Sequence, residues 1–221
     1  MITGVRLIII GRQGAGKGTQ CLRMSRHFVV PHISTGDMLR AAVREGTELG
    51  RLAEQVIQAG RLVGDEIMIG LVAERLQQDD ARNRGYILDG FPRTVAQAEA
   101  LDQISVDRPI DAVIDIDVPR DMVIARISSR RTCRDCGTNY TAKGDERSPW
   151  ICDSCGGDVV QRDDDTPSAI NQRLDLYESQ TSPLLDYYGR QGRLTVIDGS
   201  ATPDEVFARL TSAVDASRRP S

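Results

Sequence analysis

Short runs of apolar residues recur along the chain and predict the strands of a sheet. They lie at residues 7–10, 85–88, 110–118 and 194–197. Because these runs are nearly continuous, both faces of each strand are expected to be buried. Segments with apolar residues at helical spacing separate them, so the pattern predicts an α/β fold with a parallel sheet flanked by helices.

A small helical insertion is predicted at residues 34–63, between two parallel strands. Ser34, Thr35 and Asp37 are candidate N-caps for its first helix. A second helix is expected at about 49–59. The insertion would therefore stand beside the sheet rather than extend it.

The composition restricts the possible partners. With 221 residues, 40% of them hydrophobic, the chain can form one α/β core with small insertions. The formal net charge of -4 argues against nucleic acid or an anionic membrane as the main partner. No apolar run approaches the roughly 18 residues of a membrane span, and the N-terminus lacks a signal-peptide pattern. We therefore expect a cytoplasmic protein.

A glycine-rich stretch from Gly11 to Thr19 follows the first strand and leads into a helix. Its G-x-x-x-x-G-K spacing lets several amide N–H groups point at one anion, and Lys17 adds a positive charge. The N-terminal dipole of the helix favours the same anion. The stretch is therefore predicted to be a phosphate-binding P-loop, although Gly18 stands where Ser or Thr commonly binds the metal. The alternative is a glycine-rich turn without a ligand.

Asp89 ends the strand at 85–88 and begins the segment 89–94. In a doubly wound sheet this position lies at the carboxyl edge, beside the P-loop, where a carboxylate can hold magnesium through water. The alternative for Asp89 is a helix cap or turn residue. His32 has no partner visible in the sequence and is expected to be structural, and Cys21 is expected to be a small buried apolar residue.

Four of the five cysteines form two C-x-x-C pairs, Cys133 with Cys136 and Cys152 with Cys155, and fifteen residues separate the pairs. This spacing is typical of a four-cysteine zinc site. The surrounding residues 132–160 are polar and offer little core, so metal ligation is expected to supply stability. Two disulfide loops or a redox-active pair are the alternatives.

A helix is expected after the third predicted strand, with Arg126, Arg130 and Arg131 toward its end. Because Arg126 and Arg130 are four residues apart, they are predicted to share one helix face. Some of these arginines would only satisfy the terminal carbonyls. The acidic residues 163–165 precede a helix that carries Arg173, and they are expected to complement its N-terminus.

Three motifs together resemble the adenylate kinase family. They are Gly-Ala-Gly-Lys-Gly-Thr-Gln at 14–20, Ile-Ser-Thr-Gly-Asp-Met-Leu-Arg at 33–40 and Leu-Asp-Gly-Phe-Pro-Arg-Thr at 88–94. The resemblance covers nearly the whole chain, including residues 162–165 and Arg173. It is nearest to the long-lid bacterial type, whose lid carries a four-cysteine zinc site.

The chain departs from the family pattern at three places. Gln13 replaces the usual proline of the loop, and Ala96 replaces a second proline. The stretch between the cysteine pairs lacks the family's Phe-Asn-Pro-Pro motif, which leaves the hairpin shape of the lid open.

The resemblance implies three parts and one reaction. The parts are a P-loop core at 1–33, 64–128 and 166–221, an AMP-binding insertion at 34–63, and a zinc-binding lid at 129–165. The reaction is reversible phosphoryl transfer from ATP to AMP, giving two ADP. The implied protein is a monomer whose partners are ATP, AMP and ADP, with structural zinc in the lid and magnesium accompanying ATP.

The resemblance also implies roles for individual residues. The catalytic residues are Lys17, Arg93, Arg130, Arg162 and Arg173. ATP is bound by Gly14, Ala15, Gly16, Lys17, Gly18, Thr19, Arg126, Arg130, Asn139 and Tyr140. AMP is bound by Thr35, Arg40, Arg61, Leu62, Val63, Gly90, Phe91, Pro92, Arg93, Gln97, Arg162 and Arg173. The metal ligands are Cys133, Cys136, Cys152 and Cys155 for zinc and, through water, Asp89 for magnesium.

Gln97 is the residue on which the choice of AMP depends most. Its amide can donate and accept in one plane and so can read adjacent ring atoms of adenine. The alternative is a solvated helix residue.

Three other functions are alternatives to this one. A zinc-ribbon nucleic-acid binder would explain the cysteines alone, and a nucleotide-gated switch would explain the P-loop alone. Within the kinases, the alternative is a UMP/CMP kinase.

Overall fold

A parallel sheet lies at the centre of the computed structural model, which describes residues 4–58, 61–142 and 150–218. Its strands are β1 (Arg6–Ile10), β2 (His32–Ser34), β3 (Tyr86–Asp89), β4 (Ala112–Asp117) and β8 (Leu194–Asp198). Their order is β2-β3-β1-β4-β8, and every neighbouring pair is parallel. The strands predicted at residues 85–88 and 110–118 are β3 and β4, and both pair directly with β1, as in a doubly wound sheet.

Helices cover both faces of this sheet. They are α1 (Lys17–Phe28), α2 (Thr35–Arg44), α3 (Glu48–Gln58), α4 (Asp65–Gln77), α5 (Asp79–Arg84), α6 (Val95–Ile104), α7 (Arg120–Ser128), α8 (Pro167–Leu176), α9 (Pro183–Arg190) and α10 (Pro203–Ser217). A π-helical turn, Tyr177–Thr181, joins α8 to α9. Among the described residues, no helix is long and apolar enough to cross a membrane.

The side chains of β1 divide between two hydrophobic cores. Leu7 and Ile9 pack in one core, whereas Ile8 and Ile10 pack in the other. Because side chains alternate along a strand, this division places one core on each face of the sheet. This arrangement confirms the prediction, made from the continuous apolar runs, that the sheet is buried on both faces.

A second, smaller sheet carries the cysteines. It consists of β5 (Arg130–Cys133), β6 (Asn139–Thr141) and β7 (Val159–Val160), with both neighbours antiparallel to β5. Among the residues that the structure describes here, the buried apolar cluster consists of Cys133, Cys152 and Val159, with Tyr140 and Trp150 packed against it. The expectation of little core is confirmed. The strands β5 and β6 form a hairpin, and residues 143–149 lie outside the described residues.

The prediction that Arg126 and Arg130 share one helix face is wrong. The helix α7 ends at Ser128, and Arg130 is the first residue of β5, where it pairs with Thr141. The hydroxyl groups of Ser128 and Ser129 donate to carbonyls of the last helical turn. These bonds compete with helix continuation, and the chain turns into the strand instead.

The helices of the insertion form as the pattern predicts. Ser34 is the N-cap of α2, because its hydroxyl accepts the amide hydrogen of Asp37. The second helix, α3, extends to Gln58, and the predicted end at residue 59 lies outside the described residues. The helix α5 was not predicted, and its first turn is stabilised by the ion pair of Arg75 with Asp80.

Candidate active site

The carboxyl ends of β1, β2 and β3 lie at one edge of the sheet, because these strands run parallel. The P-loop follows β1, Thr35 follows β2, and Asp89 ends β3. In the register of the sheet, Ser34 lies opposite Asp89, and Asp89 lies opposite Ile9. Ligands of open α/β sheets bind at this edge, so three separate motifs of the sequence meet at one candidate site.

Glycines give the P-loop its curvature. Gly14 and Gly16 have φ angles of 82° and 99°, a region that favours glycine. A Cβ at Gly14 would lie 2.6 Å from Cγ1 of Ile127, so this position also needs a residue without a side chain. Gly16 directly precedes α1, whose first turn contains no acidic residue. The N-terminus of α1 therefore favours an anion.

The ammonium group of Lys17 lies across the P-loop. Its Nζ donates to the carbonyl oxygens of Gly11 at 2.7 Å and Arg12 at 3.0 Å. Burial lowers the pKa of Lys17, while the nearby carboxylate of Asp89 acts in the opposite direction. The lysine is thus held at the place where a bound phosphate would need a counter-charge.

Asp89 lies next to the start of α1 and has His32 as its partner. The Nε2 atom of His32 is 3.3 Å from Oδ2 of Asp89. Burial acts to raise the pKa of Asp89, but the bond from His32 and the charge of Lys17 outweigh it and lower the pKa. The carboxylate is therefore ionised, and His32 has the structural partner that the sequence did not reveal.

The loop after Asp89 positions Arg93. The peptide bond Phe91–Pro92 is cis, and the Nε of Arg93 donates to the carbonyl oxygen of Gly90 at 2.8 Å. The hydroxyl of Thr35 donates to the same oxygen at 2.9 Å. A Cβ on Gly90 would lie 2.9 Å from that hydroxyl, so glycine permits the close approach of both groups.

Two buried aspartates hold arginines of the candidate site. Asp165 accepts bonds from Arg130 at 2.9 and 2.5 Å, and its side chain is fully buried. Asp164 accepts a bond from Arg173 at 2.5 Å. The sequence predicted that these acids complement a helix N-terminus, but Thr166 is the N-cap of α8 and the acids pair with arginines.

Arg162 and Arg40 have partners other than these two aspartates. Arg162 donates to Oγ1 of Thr132 at 3.0 Å and to Oδ1 of Asn139 at 3.2 Å, both uncharged acceptors. Arg40 pairs with Asp37 of its own helix. These guanidinium groups are held in place by bonds that a phosphate could supplement or replace.

The guanidinium groups lie close enough together for their charges to affect one another's pKa values. Burial lowers the pKa of Arg93, and the charges of Arg173 and Arg40 lower it further, against the opposing effect of Asp89. Burial also lowers the pKa of Arg162 to about 10, with added repulsion from Arg40 and Arg130. Cations so close that they destabilise one another form a site suited to a polyanion.

A cavity lies beside this cationic group. Its volume is about 450 Å³, which is within the range of small-molecule sites. The residues that line it are Arg61, Leu62, Val63, Gly64, Asp65, Thr94, Leu176 and Gln180. Three predicted AMP-binding residues, 61–63, therefore form one wall.

Gln97 is buried rather than solvated, with only 2% of its surface exposed. Its Nε2 donates to Asp65 at 2.7 Å, and its Oε1 accepts the backbone N–H of Arg93 at 2.8 Å. The amide therefore links a residue of the cavity wall to the arginine of the phosphate site.

The four cysteines of the small sheet form a tight cluster. Their sulfur atoms lie within 4.8 Å of one another, with Cys133 and Cys155 at 3.5 Å and Cys136 and Cys152 at 3.5 Å. These separations exceed a disulfide bond by far and approach the roughly 3.7 Å expected between thiolates in tetrahedral coordination. The cluster can bind a metal ion.

Tyr140 adjoins the cysteine cluster. Its hydroxyl donates to the sulfur of Cys152 at 3.2 Å and accepts the backbone N–H of Asp153 at 3.0 Å. This donated bond lowers the pKa of Cys152 to about 6, which favours the thiolate. The structure thus gives the hydroxyl of Tyr140, predicted to bind ATP, a contact with the cluster.

The chain is similar to known proteins along most of its length. The sequence profile described as adenylate kinase matches residues 9–193. The adenylate kinase of Moorella thermoacetica is 54% identical over 208 residues, covering 92% of this chain and 95% of that protein. Those of Syntrophobacter fumaroxidans and Archaeoglobus fulgidus are each 47% identical, covering 94% and 96% of this chain and 99% and 98% of their own lengths.

The chain belongs to the adenylate kinase family. Members of this family catalyse the reaction of ATP and AMP to two ADP and use Mg²⁺ with ATP. The family assignment confirms the resemblance drawn from the motifs at 14–20, 33–40 and 88–94. It also accounts for a site that combines a P-loop with a second group of cationic side chains.

The structure adds contacts of the P-loop that sequence reasoning missed. Arg12 of the P-loop donates to Asp117 and Glu178, and Gln13 donates to Asp165 at 3.2 Å. Arg126, predicted to bind ATP, contacts the P-loop through the carbonyl of Ala15 at 3.4 Å. No local signal could reveal these contacts, because the partners are more than one hundred residues apart in sequence.

The pairing of Asp164 with Arg173 predicts a pH-dependent contribution to stability. Burial acts to raise the pKa of Asp164, but the guanidinium of Arg173 outweighs it and lowers the pKa. The stabilisation is therefore complete above the ordinary carboxyl pKa and is lost as the pH falls through the lower, folded-state value. Asp164→Asn should lower the free energy of unfolding at pH 7 by about 1–3 kcal/mol.

Urea denaturation at several pH values measures this contribution. The difference between the native protein and Asp164→Asn should shrink as the pH falls below the ordinary carboxyl range. The control is Asp163→Asn, which changes an exposed neighbour. Equal losses in both variants, or a difference that persists unchanged in acid, would contradict the role of the ion pair.

Proposed function

We propose that the chain performs the reaction of its family with the residues that converge at the carboxyl edge of the sheet. A phosphate oxygen of AMP attacks the γ-phosphorus of ATP, the bond from that phosphorus to the β–γ bridging oxygen breaks, and two ADP result. The observation that supports this most directly is that the P-loop, Asp89 and the buried guanidinium of Arg93, with Arg173 and Arg40 near it, meet at the carboxyl edge of the sheet, an environment suited to a polyanion.

The donor side of the site is formed by the P-loop and the lid hairpin. The amide groups of residues 14–19 and the ammonium of Lys17 would hold the β- and γ-phosphates of ATP. Arg126 contacts the loop from behind. The remaining proposed donor residues are Arg130, Asn139 and Tyr140, which all lie on the small sheet.

The acceptor side is formed by the insertion and the loop after β3. Arg40, Arg93, Arg162 and Arg173 would bind the AMP phosphate, each with a planar fork that matches two phosphate oxygens. The cavity of about 450 Å³ would take the base. Its contacts would come from Thr35, residues 61–63, residues 90–92 and Gln97.

Charge neutralisation and placement are the tasks of this site. The attacking phosphate oxygen is already anionic at neutral pH, so no general base is required. The arginines would offset the charge that spreads over the transferring group and keep the reacting oxygens in line. Magnesium, held through water near Asp89 and Thr19, would neutralise the remaining phosphate charge.

Closure of the lid at 129–165 would exclude water. Water competes with AMP as the nucleophile and would waste ATP by hydrolysis. Gln13 and Asp165 link the P-loop to the strand that begins with Arg130. Through this link, the position of Arg130 in the lid would depend on that of the P-loop at the phosphate site.

The finer properties complete the proposal. The ion in the cysteine cluster would be zinc, because four thiolates at tetrahedral separations match its preference. The described cysteines are all unpaired thiols, which fits a cytoplasmic compartment. We also propose a monomer that binds no nucleic acid, in line with the acidic net charge.

Conversion of ADP alone into equal amounts of ATP and AMP tests the reaction. Arg93→Ala should lower the rate by on the order of 10³-fold, because the guanidinium acts on charge that develops in the transition state. Arg120→Ala removes an exposed arginine that pairs with Asp175 and should leave the rate near normal. An Arg93→Ala variant with the activity of this control would refute the assignment.

Comparison of AMP with CMP and UMP as acceptors tests the base site. AMP should be preferred strongly, since a wrong base would leave the polar groups of the cavity unpaired. Gln97→Ala should reduce that preference more than it reduces the best rate. The matched control is Gln103→Ala on the same helix, an exposed position. Comparable efficiency with CMP or UMP in the native protein would favour a UMP/CMP kinase.

Metal analysis of protein purified under reducing conditions tests the lid site. We expect about one zinc ion per chain, since four thiolates close one tetrahedral site. Its removal by a chelator should lower the melting temperature first and activity only indirectly, because the small sheet has little apolar core of its own. Protein that contains no bound metal at full activity and stability would contradict the assignment.

A further inference from the structure

Three metal-ligating side chains lie together at the base of the candidate active site, apart from the lid. They are Cys21, His32 and Asp89, and one ligand atom of each lies within 4.8 Å of the others. We refer to them as the Cys-His-Asp cluster. The proposed reaction uses only Asp89 of the three, so the presence of a thiol and an imidazole beside it has no part in that mechanism.

The three ligands come from three different elements that are fixed against one another. Cys21 lies on α1, His32 begins β2, and Asp89 ends β3. The strands β2 and β3 are hydrogen-bonded neighbours, and α1 packs on both. The cluster is therefore built by rigid parts of the fold rather than by a mobile loop.

One separation within the cluster matches that of a tetrahedral site. Nε2 of His32 and Oδ2 of Asp89 are 3.3 Å apart. Two ligand atoms at normal zinc distances are separated by about 3.3 Å in a tetrahedron, and a sulfur and a nitrogen by about 3.5 Å. Since no ligand atom of the cluster is more than 4.8 Å from another, the sulfur of Cys21 needs to approach by about 1.3 Å at most.

The cluster is partly accessible to solvent. The side chains of His32 and Asp89 retain 15% and 12% of their exposure, whereas Cys21 is fully buried. An ion entering from the cleft would thus meet the imidazole and the carboxylate first. Solvent would supply its fourth ligand, which is the arrangement of an open zinc site.

The donor set selects the ion. Magnesium prefers oxygen ligands only, while a thiolate together with an imidazole favours zinc or cadmium. A thiolate and a carboxylate supply two negative charges, which neutralise a divalent cation. The nearby charge of Lys17 opposes binding and would limit the affinity, so the site should bind more weakly than the four thiolates of the lid.

We propose that the Cys-His-Asp cluster binds one thiophilic divalent cation, zinc or cadmium, and that this ion inhibits phosphoryl transfer. Sulfur, nitrogen and oxygen each form one bond to the ion, and the thiol of Cys21 releases its proton to solvent. Inhibition follows because Asp89 is then no longer available to the water shell of magnesium. The inhibitory part rests on the proposed function, whereas the binding part does not.

Cadmium-113 NMR of the full-length protein tests binding without reference to activity. The first equivalent of cadmium should give the resonance of a four-thiolate site. A second equivalent should give a separate, upfield resonance, because fewer sulfur atoms surround that ion. A single resonance at saturating cadmium would overturn the proposal.

Variants assign the second resonance. Cys21→Ala and His32→Gln should each abolish it or weaken cadmium binding there by at least about tenfold, and both should retain the first resonance. Cys136→Ser is the matched control, since it should alter the first resonance and leave the second. A second resonance that survives unchanged in both Cys21→Ala and His32→Gln would place the ion elsewhere. Circular dichroism establishes that each variant is folded.

Inhibition is measured in the ADP assay with excess magnesium. Zinc or cadmium beyond one equivalent should inhibit the native protein, and a chelator should restore its activity. Cys21→Ala should keep the basal rate and require at least about tenfold more metal for the same inhibition. Equal sensitivity of the two proteins would overturn the inhibitory role. Failure of the proposed function would instead appear as an inactive protein that still shows two cadmium resonances.

Discussion

Cationic side chains converge on one edge of the sheet and repel one another. The other groups of the site hold these cations in place. Burial and like charges lower the pKa values of Arg93 and Arg162. Both groups remain ionised at neutral pH, and hydrogen bonds hold them in place, from Arg93 to the carbonyl oxygen of Gly90 and from Arg162 to Thr132 and Asn139. The same unfavourable charge makes the site receptive to phosphates, since a polyanion removes the repulsion on binding.

The buried acids give this arrangement its form. Asp165 joins the first strand of the small sheet to the core, and it also accepts a bond from Gln13 of the P-loop. Asp164 holds Arg173 on the next helix. Because an unpaired buried charge costs more than a pair, each acid ties a part of the lid region to a part of the core. The segment that follows the small sheet is therefore connected to the P-loop and to α8 through hydrogen bonds and ion pairs.

The small sheet and the central sheet are stabilised in different ways. The central sheet has a hydrophobic core on each face, whereas the described part of the small sheet has a cluster of three buried residues. Metal ligation can replace a core where few apolar residues are present. The stability of the small sheet would then depend on the metal more than on apolar packing.

The sequence by itself determined the features that depend on neighbours along the chain. Continuous apolar runs predicted the parallel sheet, glycine spacing predicted the P-loop, and C-x-x-C spacing predicted the cysteine cluster. The tertiary structure decided the contacts between distant segments. In the structure, Arg130 begins a strand rather than ending a helix, and His32 pairs with Asp89. Gln97 is buried, and Asp164 pairs with Arg173. Local patterns record backbone preference and burial, but the partner of a side chain depends on which segments the fold brings together.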